Sequence, residues 1–496
     1  MVNMSRPEKP RALGDEFAPL WESARVALVE DAKRPTVAPA PLPYHGAGST
    51  QFPDKTMWAA IFGVPAVPVV ALGASYVWYL PSLLVLGLPT FAVFIYLSSR
   101  LLSPPAQLTK TPGKPLEHYL KFRDADWQKR FGGRAPGSTK VPMEELFEAY
   151  FDEKVDLKGD VLDVLEQRYD YAQFQFSLGQ FLFFLTQWVP ETIWHSRTQD
   201  QDQVCEHYDR GNDFYAAFLG PRMVYTSGLV ADPSTRESLE QLQDNKLERV
   251  CQIMQMKAGE RHLDIGCGWS TLTIHAAKHY GTHSTGVTLS KNQVEFGGRR
   301  AEENGVADRV HFLHMDYRDI PYAKYDKITC LEMAEHVGVR NFPKFLEQVR
   351  GMLTDDGLFY LQIAGLRRRW TFEDLIWGLF MAKYVFPGAD ASMPLAWVIG
   401  QLETAGFEVR ESHTVGVHYS ATIERWYRNW IRNRAVMSER YGERLTRVWE
   451  VFLAWSTIIS RQGSATCYQI VAHKNLNQFK REGLFRDVHV AQHGIC

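Results

Sequence analysis

Charge is missing where its absence says most: no Asp, Glu, Lys or Arg occurs between Met57 and Ser99. About twenty apolar residues cross a bilayer as a helix, so a run of this length suits two spans. A break at Pro81 and Ser82 gives a first span of roughly Met57 to Leu80 and a second of roughly Leu83 to Ser99. Lys55 precedes the pair, and Arg100, Lys110 and Lys114 follow it. That basic excess puts both flanks of a transmembrane hairpin on the cytosolic side. The alternative is a buried core hairpin, and Gly63, Pro65 and Pro68 allow a kinked or re-entrant first span.

Other absences narrow the field further. The formal net charge is −2, so no field favours a polyanion and nucleic acid is not expected as a partner. Cys205, Cys251, Cys267, Cys330, Cys467 and Cys496 are scattered, with no CxxC pair. Such spacing excludes a disulfide framework and a zinc site, and fits free thiols in a reducing compartment. Residues 1–56 have few apolar clusters and much Pro and charge, which reads as a disordered tail rather than a signal peptide. No internal repeat is visible.

Residues 100–202 read as a linker with amphipathic helices: a short one near Pro115 to Arg130, then helical apolar spacing from Met143 to Gln167. The uncharged, aromatic Phe174 to Val189 is too short to span comfortably and is either an interfacial or a core helix. From Arg261 the pattern alternates. Strands are expected at His262–Ile265, Ser284–Leu289, Val310–Met315, Lys327–Met333, Leu358–Ala364 and Ala465–Lys474. Helices run from Ser270 to Gly281, from Ser290 to near Gly305 and from Phe342 to Leu353, and a long helical insertion fills Arg367 to Tyr441. Alternation of this kind argues for an α/β fold with a doubly wound parallel sheet. It belongs to a domain spanning 203–475, with 476–496 as a C-terminal tail.

The first expected strand ends in LDIGCGWS, Leu263 to Ser270. Asp264, Gly266 and Gly268 let a backbone turn approach a ligand and start a helix whose N–H groups face it. Ser270 holds the place of a third glycine, so no pyrophosphate is demanded. A cofactor with a carboxylate, a ribose and an adenine suits the turn, as S-adenosylmethionine does. Asp316, after the third strand, is placed to accept from an adenine amino group, and Thr288 and Gln293 flank the ribose position.

With HYDRGNDFY (207–215), MVYTSG (223–228), GVTLSKNQ (286–293), DYRD (316–319), EHVG (335–338) and KYVFPG (383–388), the chain resembles the cyclopropane fatty acid synthase family of S-adenosylmethionine-dependent methyltransferases. The apolar hairpin ahead of these motifs makes it similar to the fungal sphingolipid C9-methyltransferases in particular. The resemblance implies a Rossmann-like class I methyltransferase sheet with a helical insertion, behind the transmembrane hairpin. It implies an integral membrane protein of the endoplasmic reticulum with a cytosolic catalytic domain. The implied reaction is methyl transfer to C9 of the Δ8-unsaturated base of ceramide or glucosylceramide. Tyr225 and Thr226 would meet the cofactor's methionine end, and Gly266, Thr288, Leu289, Gln293, Asp316 and Tyr317 its nucleoside.

Methyl transfer to an alkene leaves a cation, which needs a dry site, negative charge and aromatic faces. Glu335 is the candidate carboxylate and Tyr419 a candidate partner. Trp426 and Tyr427 line a tunnel or fill a core. Bacterial relatives in the resemblance hold a bicarbonate with a cysteine, a glutamate, a histidine and a tyrosine. Ser227 and Gln362 stand here where the cysteine and histidine would, so a bicarbonate is not carried over to this chain. His207 and Asp213 are candidates to order a segment over the cofactor, with local capping by Asp209 and Asn212 as the alternative. Arg367 to Arg369 and the apolar Thr371 to Phe386 suit an interfacial helix or a tunnel cover. Two further readings stay open: a cyclopropane or methyl-branched fatty acyl synthase, and a membrane-anchored cofactor-binding protein without catalysis.

Overall fold

The structure, a computed structural model, describes residues 12–31, 52–101, 114–188, 210–389 and 391–476, the side chains of 23–31 excepted. His207 and Asp209 lie outside the described residues. Short strands β1 (Leu120–Phe122) and β3 (Val155–Leu157) pair antiparallel, and β2 (Val141–Pro142) and β4 (Ala172–Gln173) pair parallel. The main sheet contains β5 (Arg261–Ile265), β6 (His283–Thr288), β7 (Val310–His314), β8 (Tyr325–Leu331), β9 (Leu353–Leu366), β10 (Phe407–Thr414) and β11 (Ala465–Lys474). Its order is β10-β11-β9-β8-β5-β6-β7. The strands from β7 to β9 are parallel, and β11 runs antiparallel between β9 and β10. Chain order reverses beside β5, and at such a switch point the strand ends leave a crevice.

The helices between these strands start and stop where local chemistry says they should. Ser290 accepts from the Gln293 N–H to open the helix Lys291–Glu303, satisfying one of its orphan donors. The helix Thr271–Tyr280 closes at Gly281 in the left-handed region, φ 70°, which a glycine adopts without a Cβ penalty. One departure from expectation is β10. The stretch read as wholly helical holds this strand, whose charged FEVRESHT sequence pairs on one side only, at the sheet edge. An edge strand need not show an apolar face, so periodicity did not reveal it.

Beside the sheet stands a second core built from large aromatics. The helices Gly416–Tyr441 and Glu443–Arg461 turn back on each other at Gly442 and bury Trp426, Trp430, Trp449 and Trp455. The stretch read as a linker folds onto this pair from Lys114 to Trp188. Tyr150 donates its hydroxyl to Glu450 at 2.6 Å, and the Leu162 N–H reaches the Tyr427 hydroxyl at 3.2 Å. Arg168 and Glu373, both fully buried, pair at 2.6 Å. Tyr427 is therefore core. Arg367 is tied to Asp374 and Thr371, and Phe372, Ile376, Leu379 and Phe380 are buried. The stretch after the three arginines thus covers the domain interior.

The uncharged region differs from the expected hairpin in where it breaks. Among the described residues one helix, Tyr76–Leu101, is long and apolar enough to cross a membrane. Ahead of it lie Asp54–Gly63 and Ala66–Ala71. Pro65 and Pro68 each remove an N–H from the helical ladder there, which interrupts the first span. The reversal falls at 72–75, and Pro81 sits in the first turn of the α-helical part of the long helix, Tyr79–Leu101, where its missing N–H costs nothing. The two arms are joined by the Tyr79 hydroxyl to the Phe62 carbonyl at 2.9 Å and by Ser82 to the Pro65 carbonyl at 2.6 Å. Val70, Leu72, Tyr76, Leu84 and Val85 are exposed. At its base the hairpin meets the rest of the chain: Phe52 stacks on Trp370 at 4.4 Å, and the Phe176 N–H donates to Ser99.

Candidate active site

A cavity opens at the C-terminal ends of β5, β6, β7 and β8. The turn after β5 supplies Gly266 and Gly268, at φ +77° and +53°. A Cβ on Gly266 would lie 2.5 Å from the Met333 side chain, so only glycine fits this turn. Asp264 is buried, accepting from Thr273 at 2.9 Å and Thr329 at 2.8 Å. Burial pushes its carboxyl up, and the two threonines oppose that. From β6 come Thr288 and Leu289, with Thr288 donating to Gln293 at 2.5 Å. Asp316 and Tyr317 follow β7 and line the same wall. Both Asp316 oxygens are engaged by the Arg318 fork, at 2.8 and 2.7 Å.

The opposite wall is the segment Met223–Thr226. It is pinned from the helix Leu239–Ile253: Gln243 donates to the Thr226 carbonyl at 2.8 Å, and Lys246 to its hydroxyl at 2.9 Å. Lys246 is buried, lines the cavity and was passed over in the sequence. Desolvation lowers its pKa to about 8, against the pull of Glu332 and Asp264. Arg300 reaches the Arg222 carbonyl and Thr271 and ties this wall to the helices Thr271–Tyr280 and Lys291–Glu303. The neighbouring helix is anchored too. Asn212 accepts from the Trp269 ring N–H at 2.8 Å rather than capping its own helix, and Asp213 accepts from Tyr441 and Arg440.

Three of the four expected catalytic residues meet at one point, and that point is Glu332. The Ser227 N–H and the Gln362 amide donate to its Oε1 at 2.8 and 2.6 Å, and the Tyr419 hydroxyl donates to Oε2 at 2.7 Å. Glu332 lines the cavity; Glu335, three residues on, is not part of its lining. Glu335 is buried, accepts from the Ala364 N–H at 2.5 Å, and leaves Oε2 without a partner among the described residues. Burial first, and the charge of Glu332 second, push its carboxyl up to about 8. Burial and Glu332 likewise hold the Tyr419 phenol well above its ordinary range. Glu335 opens the EHVG motif, and Glu332 stands three residues before it. What singles out Glu332 is its direction, set by a left-handed backbone that sequence does not announce.

Beside this cluster stand aromatic rings. Tyr225 lies 5.3 Å from Trp426 and 6.1 Å from Phe386, and Trp426 lies edge-on to Tyr419 at 6.0 Å. Trp426 therefore serves both readings, a core ring and a wall of the site. No cluster of His, Cys, Asp and Glu among the described residues could hold a metal. The remaining set fits a zwitterionic amino acid joined to a nucleoside. A glycine turn free of side chains and a buried ammonium face one end, and hydroxyl, amide and carboxylate groups face the other.

Residues 195–470 match the family described as mycolic acid cyclopropane synthetase. A sphingolipid C9-methyltransferase of Komagataella phaffii is 50% identical over 90% of this chain and 92% of its own. The sphingolipid C9-methyltransferase A of Emericella nidulans is 48% identical over 92% and 88%. A crystal structure of a mycolic acid cyclopropane synthase complexed with SAH and CTAB superposes with a TM-score of 0.53 at 22% identity, covering 55% of this chain and 98% of that one. Its likeness extends to the fold, a class I methyltransferase sheet.

Proposed function

Since the chain belongs to the mycolic acid cyclopropane synthetase family, and within it to the sphingolipid C9-methyltransferases, we propose that it methylates C9 of the Δ8-unsaturated base of ceramide or glucosylceramide. The product is a 9-methyl-branched sphingolipid. The enzyme is S-adenosylmethionine-dependent, and the cofactor supplies an electrophilic methyl group when bound. Lys246 and the Gly266–Gly268 turn hold its amino acid end, Thr288 and Gln293 its ribose, and Asp316 its adenine once Arg318 shares or yields the carboxylate. Tyr225 and Thr226 face the methyl group, with Asp264, Leu289 and Tyr317 completing the wall.

The observation that carries this reading is the apolar, aromatic closure of the methionine side beside a hydrogen-bonded acid cluster. Water would trap an alkene-derived cation. Ring faces at Tyr225, Trp426 and Tyr419 exclude water and attract positive charge through their quadrupoles. Glu332, held by Tyr419, Ser227 and Gln362, forms the polar side of the reaction centre, and Glu335 lies behind it beside the Ala364 N–H. No free bicarbonate is assigned to it.

The uncharged hairpin anchors the chain in a bilayer, through Tyr76–Leu101 and the kinked arm before it. The catalytic half faces the cytosol, at the endoplasmic reticulum. Mass spectrometry of sphingolipids from cells with and without the chain tests the function. A gain of one methyl group on an alkene-containing base is expected. A ring-containing acyl chain on phospholipid would replace this reading with a cyclopropane synthase, and cofactor binding without any lipid product would replace it with a non-catalytic one.

A further inference from the structure

We propose that Glu332 is the proton acceptor of this reaction, a carboxylate built into the chain at the place where a free anion would otherwise be needed. The inference rests on the function just proposed. The chain is bent to aim this side chain: Glu332 has φ +53°, a left-handed value uncommon for a residue with a Cβ. Its own N–H is fixed to the Gln362 carbonyl at 2.7 Å. Strand register then fixes what it meets. Gln469 on β11 stands opposite Gln362 on β9 and donates to its Oε1 at 3.1 Å, so the Gln362 amide nitrogen is left to face Glu332. Cys467, two residues before Gln469, adds a thiol at 3.5 Å.

Each of these contacts donates to the carboxylate. Oε1 receives Ser227, Gln362 and Cys467, whereas among the described residues Oε2 receives Tyr419 alone. A carboxylate oxygen has two lone pairs, so Oε2 is the oxygen with room for a proton. Glu335 lacks this arrangement, since it is withdrawn from the cavity beside the Ala364 N–H.

The step balances without any further reagent. The π pair of C8=C9 forms the bond from C9 to the methyl carbon as the methyl–sulfur bond breaks with its electrons on sulfur, leaving C8 positive. Oε2 of Glu332 takes the proton on C9, and the C9–H pair restores C8=C9. The products are a methyl-branched alkene, a neutral thioether and a protonated Glu332.

Three measurements on the full-length chain test the assignment. Glu332→Gln keeps the shape and loses the acceptor. Its turnover should fall by roughly 100-fold or more, the scale of a positioned base, with cofactor affinity by calorimetry within about threefold of wild type. Glu332→Gly suits the left-handed backbone and vacates the donor cluster. It should bind carbon-13 bicarbonate by NMR, where wild type shows no binding, and recover turnover as bicarbonate is added. Wild type should keep its rate when bicarbonate is stripped from the buffer. Near-normal turnover by Glu332→Gln, or loss of wild-type activity on bicarbonate removal, overturns the assignment while leaving the methylation itself intact. Failure of wild type to methylate any sphingolipid would instead sink the function on which it rests.

Discussion

The two ends of the cavity are built in different ways. Along the proposed cofactor wall each contact comes from the tip of its own strand: the glycine turn after β5, Thr288 from β6, Asp316 after β7. At the proposed methyl-transfer end, one carboxylate after β8 is held by Ser227, by Gln362 on β9, by Tyr419 on a helix and by Cys467 on β11. The first end is a series of local motifs, the second an assembly of distant ones. Substitutions at the first should therefore change cofactor affinity, and substitutions at the second should change turnover.

The largest effect expected in that comparison is at Gly266. Gly266→Val places a branched side chain into Met333 at a left-handed backbone position. Cofactor binding should become undetectable by calorimetry; retained binding would mean that the turn is not the cofactor cradle. Next is Asp316→Ala, which should weaken cofactor binding by about 1–3 kcal/mol, the cost of losing a buried polar partner. Turnover at saturating cofactor should hold. Unchanged affinity would place the adenine elsewhere.

Tyr419→Phe deletes one donor to Glu332 and no cofactor contact. A fall in kcat of roughly tenfold is expected, with one hydrogen bond to a charged group at stake; a rise in cofactor Kd instead would blur the division between the two ends. Glu335 gives the smallest effect and a sign that can be worked out. Its carboxyl titrates at about 8 in the folded chain, above the ordinary value. The stability this contributes is present at low pH and lost as pH rises through about 8. Wild-type Tm should therefore drop between pH 6 and 9 by a few degrees more than that of Glu335→Gln, roughly the scale of a 1 kcal/mol change. Near neutral pH this variant resembles the protonated acid already present, so its turnover should suffer less than that of Glu332→Gln.

The same contrast explains what the sequence disclosed. Strand, glycine turn and helix at 261–305 follow from a short stretch of local signals, and the observed elements match their expected positions within a residue or two. Ser227, Gln362 and Tyr419 were legible only through resemblance. Their meeting at Glu332 was not, because it depends on β9–β11 register and on one left-handed residue. β10 escaped as a charged edge strand. In the uncharged stretch, composition showed a helical hairpin with a first arm kinked at Pro65 and Pro68, but its reversal falls at 72–75 rather than at Pro81 and Ser82.

The fate of one hydrogen tests the central claim most directly. A trideuteromethyl cofactor is supplied to the wild-type enzyme with a Δ8-unsaturated ceramide, and the product is read by mass spectrometry. Proton loss from the chain carbon to Glu332 predicts a methyl-branched alkene that keeps all the deuterium of the transferred group. Loss of one deuterium, with the appearance of a cyclopropane ring, would contradict it.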